Sequence, residues 1–518
     1  MADDQSEIVE FLSTPSAYGL KGGAVERHST HGSIVFLAGD RAYKLKRAVR
    51  YDYMDYSTPE KRKAMCEAEL AVNRRTAPEL YLEVRPVIRN GATLRIGNAG
   101  EERGAIDWLV VMRRFDQRSL LEEMRKRGEL DLPLMRTLAE RIAEFHAHAE
   151  VTKGFGGAKG IAEVIDECGR MFATMADAPF EPAKFERWLS LASAEQARLR
   201  GLLEVRRNSG SVRRCHGDLH LNNICLIEGR PVLFDAIEFR DDFSCIDVLY
   251  DLAFLLMDLD SRDLRPFANA ALNRYLERSG DYSGLEAMPL FLSCRAAVRA
   301  HVAASAAKFA AGDKTACHRE AVDLLHRAIA YLAPRQGRIV AIGGPSGTGK
   351  STLAAQVAPA LGCAPGAIVV RTDVIRKSLW GADDLARLPQ EAYAQAFTAR
   401  VYAKLTEHVE AAARGGCAVI ADAVFGQPFE RDAIKAASQR AGVAFTGLWL
   451  DAPMEILERR IASRRRDASD ATVEVLHKQL SYIHKPDDWI GIDASGARTE
   501  ERVLRAIGVQ AFNWRSQS

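Results

Sequence analysis

The chain has 518 residues, of which 47% are hydrophobic and 27% are charged, and its formal net charge is +2. This length accommodates two to four globular domains, and the balanced charge excludes a general attraction to nucleic acid or anionic lipid. The acidic N-terminus predicts no signal peptide, and no apolar run is long enough to cross a bilayer. The nine scattered cysteines contain no C-x-x-C pair. We therefore expect a cytoplasmic protein with reduced core thiols.

The first part of the chain is predicted to be rich in strands and to contain one prominent helix. Ser33–Leu37 and Arg41–Lys46 are apolar or alternating segments on either side of a short turn, which predicts a hairpin. Pro59–Arg75 is helical by propensity and ends before a proline. Two further strands are predicted at Arg85–Ile96 and Trp108–Phe115.

The middle of the chain, residues 120–332, is predicted to be mostly helical. A loop-and-strand segment at residues 214–239 interrupts it, and the Gly-rich residues 147–161 predict a loop. The segment PRQG at residues 334–337 breaks the pattern. We therefore predict one domain at residues 1–333 and a second at residues 337–518.

A first set of chemical residues lies in the loop-and-strand segment. Cys215–Ile224 reads CHGDLHLNNI and places Asp218 five residues before Asn223, and Asp235 follows an apolar strand in VLFDAIEF. Phosphoryl transfer depends on positioning and charge neutralisation more than on covalent chemistry. Asp218 could accept the proton of an acceptor hydroxyl, whereas Asn223 and Asp235 could hold Mg²⁺ against a triphosphate.

These motifs resemble those of the aminoglycoside phosphotransferase and choline kinase group, which shares the protein-kinase-like fold. The resemblance covers residues 20–330. It implies an α+β, two-lobed, protein-kinase-like N-terminal domain, with a small lobe at residues 20–115 and a helical lobe at residues 116–333. The chain departs from the kinase pattern at residues 21–33, where the glycines do not follow the G-x-G-x-x-G spacing.

The same resemblance asks for a nucleotide-binding lysine on the third strand and a glutamate on the following helix. Lys44 and Glu69 fill these positions. Lys46 is the alternative lysine, because it lies on the same strand face as Lys44, and Glu67 is the alternative glutamate.

Other polar residues around this site have more than one interpretation. Asp247 and Asp251 share a helix face and are expected to support the catalytic loop. His216 and His220 have a spacing that zinc ligands can have, but a structural role in the loop is the preferred interpretation. Arg295 and Arg299 share a helix face and could bind an anionic acceptor, although a solvated helix face is expected there.

The second informative motif is GPSGTGKS at Gly344–Ser351, a complete G-x-x-x-x-G-K-[ST] phosphate-binding loop. A predicted strand at Arg338–Gly343 precedes it and a predicted helix at Thr352–Leu361 follows it, which is the context that the motif requires. Backbone N–H groups of such a loop surround phosphate oxygens, its lysine contacts the terminal phosphates, and its serine binds Mg²⁺. The predicted ATP-binding residues are Gly344, Pro345, Ser346, Gly347, Thr348, Gly349, Lys350, Ser351 and Thr352.

Predicted strands at Ala367–Arg371, Ala418–Ala421 and Ala444–Leu450 alternate with helices, which predicts an α/β domain with a parallel sheet. This region resembles the small P-loop kinases that include gluconate kinase, chloramphenicol phosphotransferase, polynucleotide kinase and the zeta-toxin group. The resemblance assigns Asp373 to the acceptor hydroxyl and Arg376 to substrate binding. Asp422 stands where a carboxylate would bind Mg²⁺, with a helix cap as the alternative role.

The segment Leu457–Thr472 is dense in arginine. In the resembled kinases a mobile lid brings arginines onto the transferring phosphoryl group. Arg464, Arg465 and Arg466 are the candidates for this role, ahead of Arg460. A nucleic-acid-binding patch is the alternative, but it is disfavoured because the segment lacks interleaved aromatic residues and contains acidic ones.

The whole chain resembles bacterial fusions of an aminoglycoside phosphotransferase-like domain with a zeta-toxin-like, AAA-type ATP-binding domain. The leading hypothesis is a bifunctional kinase that uses ATP and Mg²⁺ to phosphorylate small hydroxyl compounds such as sugars, nucleosides or amino alcohols. One alternative is a ligand-sensing pseudokinase domain that regulates a single P-loop enzyme, and another is a polynucleotide 5′-hydroxyl kinase. No membrane or nucleic-acid partner is expected, and the oligomeric state is left open.

Overall fold

The structure is a computed structural model that describes residues 4–51, 54–175, 179–306, 314–463, 468–496 and 498–509. The chain divides into two compact units. The first unit comprises Met1–Leu130, Glu144–Ile161 and Leu203–Leu255, and the second comprises Asp131–Ala143, Ala162–Leu202 and Leu256–Ser518. The domain boundary at residues 334–337 stays a prediction.

The strands are numbered in chain order. They are β1 (Glu26–Ser29), β2 (Ser33–Ala38), β3 (Arg41–Lys46), β4 (Arg50–Tyr51), β5 (Met54–Asp55), β6 (Tyr81–Asn90), β7 (Thr93–Ile96), β8 (Ala105–Arg113), β9 (Val212–Arg214), β10 (Ile224–Ile227), β11 (Arg230–Leu233), β12 (Cys245–Asp247), β13 (Arg338–Gly343), β14 (Ile368–Arg371), β15 (Ala418–Asp422), β16 (Ala444–Asp451) and β17 (Ile490–Asp493).

The α-helices are numbered in the same way. They are α1 (Ser6–Leu12), α2 (Pro59–Asn73), α3 (Leu121–Lys126), α4 (Leu132–His148), α5 (Gly157–Thr174), α6 (Pro182–Asn208), α7 (Asp241–Ser244), α8 (Val248–Ser261), α9 (Arg265–Ser279), α10 (Met288–Ala306), α11 (Lys314–Tyr331), α12 (Lys350–Val357), α13 (Thr372–Trp380), α14 (Gln395–Arg414), α15 (Pro428–Ala441), α16 (Met454–Ser463), α17 (Val473–Leu480) and α18 (Thr499–Ala506). Within the described ranges, none of these helices has both the length and the apolar character that a membrane crossing needs.

The first unit is built on a six-stranded antiparallel sheet with the order β1-β2-β3-β8-β6-β7. The predicted hairpin is confirmed as β2 paired with β3. Alternation along β3 places Tyr43 and Leu45 in a hydrophobic cluster on one face of the sheet. Lys44 and Lys46 therefore project from the other face, where both reach Glu69 of α2. Because side chains alternate between the two faces along β3, both lysines lie on the face that α2 covers.

The lysine-bearing face of the sheet is also where the β10–β11 hairpin packs. Trp108 and Val110 of β8 share a buried hydrophobic cluster with Cys225 of β10 and Val232 of β11. The loop before β10 and the segment after β11 contain the residues that the sequence analysis assigned to catalysis. Hydrophobic packing between β8 and the hairpin therefore brings those two segments to the side of the sheet where the lysines lie.

The predicted parallel sheet is confirmed in the second unit. Its five strands follow the order β14-β15-β13-β16-β17, and every neighbouring pair is parallel. Strand β13 is almost wholly buried, as expected for the centre of a sheet covered by helices. Helices α12 and α18 contribute Leu353, Val357, Val503 and Leu504 to its hydrophobic core. Helix α14 contacts β13, β14 and β15.

Four sequence expectations need correction. Asp247 is the last residue of β12, so it does not share a helix face with Asp251 of α8. The strand predicted at Arg85–Ile96 is the end of β6 and the whole of β7, which pair with each other through a turn. The loop predicted at residues 147–161 is wrong in its last part, because α5 begins at Gly157 and the carboxylate of Glu204 accepts a hydrogen bond from the N–H of Ala158. Arg295 does not lie on a solvated face: it is 6% exposed, on a helix that is buried along most of its length.

An aromatic pair joins α14 to the 3₁₀ helix at Tyr282–Ala287 in the second unit. The rings of Tyr282 and His408 lie with centroids 4.2 Å apart and planes at 32°. Burial, together with the charge of Lys404, lowers the pKa of His408 from 6.5 to about 4, and the charge of Glu407 acts in the opposite direction. The imidazole is therefore neutral in the folded protein at neutral pH.

This pKa predicts a loss of stability in mild acid. As pH falls below 6.5, the unfolded chain binds a proton at His408 whereas the folded chain does not until about pH 4, so stability falls with pH across this window. The melting temperature of the wild type should therefore drop more between pH 7.5 and pH 5.5 than that of His408→Phe, which keeps a ring against Tyr282 but cannot titrate. Equal drops in the two proteins would show that His408 contributes nothing to this dependence.

Candidate active sites

Lys44 is the centre of an ion-pair network in the first unit. Its Nζ lies 2.8 Å from Oε1 of Glu69 and 2.7 Å from Oδ1 of Asp235. Lys44 is on β3, Glu69 is on α2, and Asp235 follows β11. The structure thus brings together three predicted site residues that are up to 191 positions apart in the chain.

Burial and charge act against each other in this network. Burial by itself would lower the pKa of Lys44, but the carboxylates of Asp235 and Glu69 more than offset it, so the pKa is raised and the ammonium persists. Burial would likewise raise the pKa of Glu69, and the charges of Lys44 and Lys46 reverse this effect and lower it. Each charge in the network is therefore maintained by its partners.

Lys46, the alternative lysine, occupies the inner part of the same network. Its Nζ lies 2.6 Å from Oε2 of Glu69 and 2.5 Å from Oε1 of Glu238, which also accepts a hydrogen bond from the hydroxyl of Tyr56. The side chain of Lys46 is 1% exposed and that of Lys44 is 14% exposed. Lys44 is therefore the lysine that a bound nucleotide could reach.

The alternative glutamate, Glu67, lies away from this network. Its side chain is 59% exposed and stands 3.9 Å from Lys63 on the same helix. In contrast, Glu69 is fully buried between the two lysines. Sequence reasoning did not identify Glu238 or Tyr56, and the only sequence signal for Glu238 is its position three residues after Asp235.

Asp218 and Asn223 contact each other in the predicted catalytic loop. The amide nitrogen of Asn223 donates to Oδ2 of Asp218 at 2.8 Å and to its backbone oxygen at 2.9 Å. The backbone oxygen of Asn223 accepts from the N–H of Phe234 at 3.0 Å, which places Asp235, the next residue, beside the loop. The five-residue spacing in the sequence therefore closes a turn with its two polar side chains paired.

The loop is held from behind by a buried carboxylate. Asp251 accepts hydrogen bonds from the backbone N–H groups of His216 and Gly217, at 3.0 and 2.8 Å, and its Oδ2 lies 3.0 Å from Nε2 of His146. Burial lowers the pKa of His216, whose Nε2 lies 2.9 Å from the carbonyl of Phe234. His220 instead lies beside Asp218 and the ring of Phe254. These contacts are those of a structural support, and the two histidines do not form a ligand pair.

Asp235 has a backbone conformation that costs energy. Its φ is +61°, a region that non-glycine residues seldom occupy and that costs about 1–3 kcal/mol. The N–H of Asp235 donates to the hydroxyl of Tyr81, and the next N–H, that of Ala236, donates to the side chain of Asn73. These bonds hold the carboxylate next to Lys44. The oxygens of Asp235 and Asn223 are of the type that Mg²⁺ prefers, so this set of donors fits the ion.

The phosphate-binding loop in the second unit depends on glycine at its first position. Gly344 has φ of +136°, and a Cβ there would lie 2.3 Å from the carbonyl oxygen of Leu450. Gly347 and Gly349 also have positive φ, and α12 begins at Lys350, directly after the loop. A helix N-terminus that follows a Gly-rich loop forms an anion-binding site. The predicted motif thus has the backbone that its function requires.

Two oxygen donors adjoin this loop. The hydroxyl of Ser351 donates to Oδ2 of Asp422 at 2.6 Å, at the carboxyl end of β15. Burial raises the pKa of Asp422, whereas the charges of Arg371 and Lys350 lower it. A hydroxyl and a carboxylate in contact below a phosphate-binding loop fit Mg²⁺. Lys350 itself donates to the carbonyls of residues 344 and 345.

A cavity of about 1280 Å³ lies beside the loop, and its walls include Asp373, Arg376, Tyr393, Arg460 and Gln479. Asp373 lies in the first turn of α13. Arg376 is buried, with Nη1 donating to a backbone carbonyl at 2.6 Å and the guanidinium 4.9 Å from the ring centre of Tyr393. Both predicted acceptor-side residues therefore border the same space.

The arginine-rich segment is described only in part. Arg464, Arg465 and Arg466 lie outside the described residues, so their role stays a prediction. Arg460, ranked below them from the sequence, donates to the carbonyls of Thr348 in the loop and Ala494. Gln479 was not identified from the sequence: its Oε1 accepts from the N–H of Ser346 at 3.0 Å. No local motif indicates either contact.

Two regions of the chain match known families. Residues 39–288 match the phosphotransferase enzyme family, and residues 339–486 match an AAA domain family. The chain is an ATP-dependent phosphotransferase. It joins a region that matches the phosphotransferase enzyme family to a P-loop kinase region that matches the AAA domain family, as the sequence resemblance implied.

The chain is also similar to one relative and to two solved structures. An uncharacterized protein of Mycobacterium tuberculosis is 28% identical over 499 residues, which cover 95% of this chain and 96% of the relative. A choline/ethanolamine kinase family protein from Mesorhizobium loti is 14% identical, with a TM-score of 0.39, and covers 63% of this chain and 98% of its own. A gluconokinase from Sinorhizobium meliloti is 18% identical, with a TM-score of 0.24, and covers 33% and 90%.

The two lysines of the first site predict different mutant phenotypes. Lys44→Met should abolish phosphoryl transfer at this site and lower the melting temperature less than Lys46→Met does, because Lys44 is the more exposed of the two lysines and Glu69 keeps Lys46 as a partner. Lys46→Met leaves Glu69 and Glu238 as buried charges without this partner, so it should lower the free energy of unfolding by about 3–5 kcal/mol. Thermal melting and ATP turnover of both variants measure the difference. Equal destabilisation by both variants would contradict the assignment of Lys44 to the nucleotide.

Proposed function

We propose that this phosphotransferase is bifunctional and moves the γ-phosphoryl group of ATP to hydroxyl groups of small molecules at one active site in each kinase region. The observation that carries the proposal is that one chain holds two separate sets of a lysine and magnesium-type oxygen donors. In the first unit the set is Lys44, Asn223 and Asp235. In the second it is Lys350, Ser351 and Asp422.

At the first site, Asp218 would accept the proton of the acceptor hydroxyl as its oxygen attacks phosphorus. The hydrogen bond from Asn223 fixes the orientation of this carboxylate. Lys44 would bind phosphate oxygens of ATP while Glu69 holds its ammonium in place. Asn223 and Asp235 would hold Mg²⁺, which neutralises phosphate charge when bound.

At the second site, the backbone N–H groups of residues 344–352 would surround the phosphates, and Lys350 would exchange its two carbonyl partners for phosphate oxygens. Ser351 and Asp422 would hold Mg²⁺. Asp373, at the start of α13 and on the wall of the cavity, would accept the proton of the acceptor. Arg376 would bind the substrate with the N–H groups that its protein contacts do not use.

The acceptors are proposed to be sugars, nucleosides or amino alcohols. The cavity of about 1280 Å³ is larger than the range of about 300–1000 Å³ that holds one small ligand, so it has room for ATP and a compact second substrate. Its wall combines the rings of Tyr393 and Tyr402 with the carboxylate of Asp373 and the guanidinium of Arg387. Such a lining suits a polar compound that also presents a flat or apolar face.

The test is phosphorylation of a metabolite extract with labelled ATP by the wild type, Asp218→Asn, Lys350→Ala and the double variant. Each single variant should lose its own set of labelled products by about 100-fold or more, because each change removes a group that acts in the transition state of one site. The double variant should lose both sets. Asp263→Asn, which changes an exposed carboxylate, is the matched control.

Other patterns contradict the proposal in distinct ways. Loss of all products in Lys350→Ala with none lost in Asp218→Asn would indicate a regulatory domain beside a single P-loop enzyme. Lys350-dependent labelling of 5′-hydroxyl oligonucleotides, without labelled metabolites, would indicate a polynucleotide kinase.

The metal set of the second site gives a further prediction. Ser351→Ala removes one oxygen donor, so the Mg²⁺ concentration for half-maximal ATP turnover should rise by about tenfold or more. The assay uses the Asp218→Asn chain, in which the remaining turnover depends on Lys350. Ser351→Thr restores a hydroxyl and should restore most of the Mg²⁺ affinity. An unchanged Mg²⁺ requirement in Ser351→Ala would exclude Ser351 as a ligand.

A further inference from the structure

Strand β14 leads directly to Asp373, and it lies at the edge of the parallel sheet in the second unit. An edge strand has backbone N–H and C=O groups that no neighbouring strand pairs. Two asparagines of α9 bind these groups. Asn273 accepts from the N–H of Val369 at 2.7 Å and donates to the carbonyl of Ala367 at 3.2 Å, and Asn269 donates to the same carbonyl at 3.0 Å.

The contact between α9 and the beginning of β14 is close and dry. Asn269 is 3% exposed and Asn273 is 7% exposed. A Cβ at Gly366 would lie 2.8 Å from the side-chain nitrogen of Asn269 and 2.5 Å from a backbone oxygen, and its φ of +115° also favours glycine. The chain can therefore approach α9 this closely only because residue 366 has no side chain.

Arg274, the next residue of α9, contacts a loop in the wall of the cavity where the phosphoryl acceptor would bind. Arg274 forms an ion pair with Asp384 and two others with Glu140 and Glu277. The backbone oxygen of Asp384 accepts from the ammonium of Lys377 at 2.7 Å. The 382–388 loop, which contains Asp384, contributes Arg387 and Leu388 to the wall of the cavity.

A buried lysine extends this contact into the cavity wall. Lys377 is 1% exposed and also donates to the carbonyl of Ala386 at 2.8 Å and to the carboxylate of Asp470 at 3.2 Å. Asp470 accepts from the hydroxyl of Tyr393 at 2.7 Å, and its pKa is lowered by these hydrogen bonds and by Lys377, against the effect of burial. A continuous series of polar contacts thus runs from α9 to the side chains that border the cavity.

These contacts join the two family regions within one compact unit. Helix α9 lies inside residues 39–288, which match the phosphotransferase enzyme family, whereas β14 and the 382–388 loop lie inside residues 339–486, which match the AAA domain family. We propose that α9 is a positioning element of the P-loop active site, in which Asn273 and Asn269 fix the strand that leads to Asp373 and Arg274 fixes the acceptor-side loop. This inference rests on the proposed phosphoryl transfer at that site.

Helix α9 would affect catalysis through the position of β14. Asp373 is four residues after Val369, so a shift of the strand is transmitted to the carboxylate that would receive the acceptor proton. A displacement of about 1 Å at a reacting group lowers the rate by about 100-fold. The phosphate-binding loop instead follows β13, at the centre of the sheet, and the hydrogen bonds of Asn269 and Asn273 go to β14 and the residue before it. A change in α9 should therefore alter the catalytic rate more than ATP binding.

The test uses the full chain carrying Asp218→Asn, in which ATP hydrolysis, with water as acceptor, reports on the P-loop site. Asn273→Leu removes both hydrogen bonds to β14, and Asn273→Asp keeps an acceptor for Val369 but loses the donor to Ala367. Arg274→Gln removes the ion pair with Asp384, and Arg274→Lys keeps its charge. Arg278→Gln, an exposed change on the same helix, is the matched control.

We expect kcat to fall by about tenfold or more in Asn273→Leu and also in Asn273→Asp, which places a carboxylate oxygen against the carbonyl of Ala367, while KM for ATP stays within about threefold. Arg274→Lys should recover most of the kcat lost in Arg274→Gln. Hydrogen exchange measured by mass spectrometry adds a readout that does not need activity: the peptide covering residues 367–373 should exchange faster in Asn273→Leu, and the peptide covering residues 339–351 should not change.

The opposite results overturn the inference. A kcat within twofold of the parent chain with unchanged exchange at residues 367–373 would show that α9 positions nothing at the site. A parallel fall in melting temperature, ATP affinity and kcat would show that α9 is only part of the folding core. If the parent chain has no Lys350-dependent turnover, the proposed function fails, and the exchange measurement still decides whether α9 holds the strand.

Discussion

A buried carboxylate between two ammonium groups is the constraint on which the first unit depends. Removing Glu69, Lys44 and Lys46 from water is costly, and Glu69 stays ionised because the ammonium groups of Lys44 and Lys46 lie 2.8 and 2.6 Å from its carboxylate oxygens. Asp235 and Glu238 extend the network, so three carboxylates face two lysines. The excess negative charge stands next to the lysine that is partly exposed. A hydrated divalent metal ion bound by Asp235 would bring positive charge to this position.

The second unit meets the same chemical demand by different physical means. Its phosphate site consists of backbone N–H groups at the start of a helix, which are partial charges that need no buried counter-ion. This solution requires backbone approach that only glycine allows, as at Gly344 against Leu450. In the first unit the charges are on side chains, and their positions depend on strand register and on the packing of α2. The two candidate sites are therefore expected to tolerate different substitutions.

The site residues that could be predicted from the sequence are those that belong to short motifs with a fixed spacing. The P-loop motif includes its own geometry, and the separation of Asp218 from Asn223 is that of a closed turn. Lys44 and Glu69 could be proposed because alternation and helix propensity identified their elements. Glu238, Gln479 and the asparagines of α9 could not, since each contacts groups more than 90 positions away and no short motif marks it. Arg295 was misassigned for a related reason: charge indicates exposure only where the surrounding helix is exposed.

Because asparagines of α9 bind β14, the two family regions are not physically independent. They bind backbone groups at the sheet edge that a neighbouring strand would otherwise pair. The edge of the sheet in the P-loop region is therefore hydrogen-bonded by a segment about a hundred residues earlier in the chain. A fragment beginning at residue 337 would present that edge to solvent, where a second fragment could pair with it. Such a truncated protein is expected to aggregate through edge pairing. The P-loop region produced on its own should therefore be less soluble than the full chain.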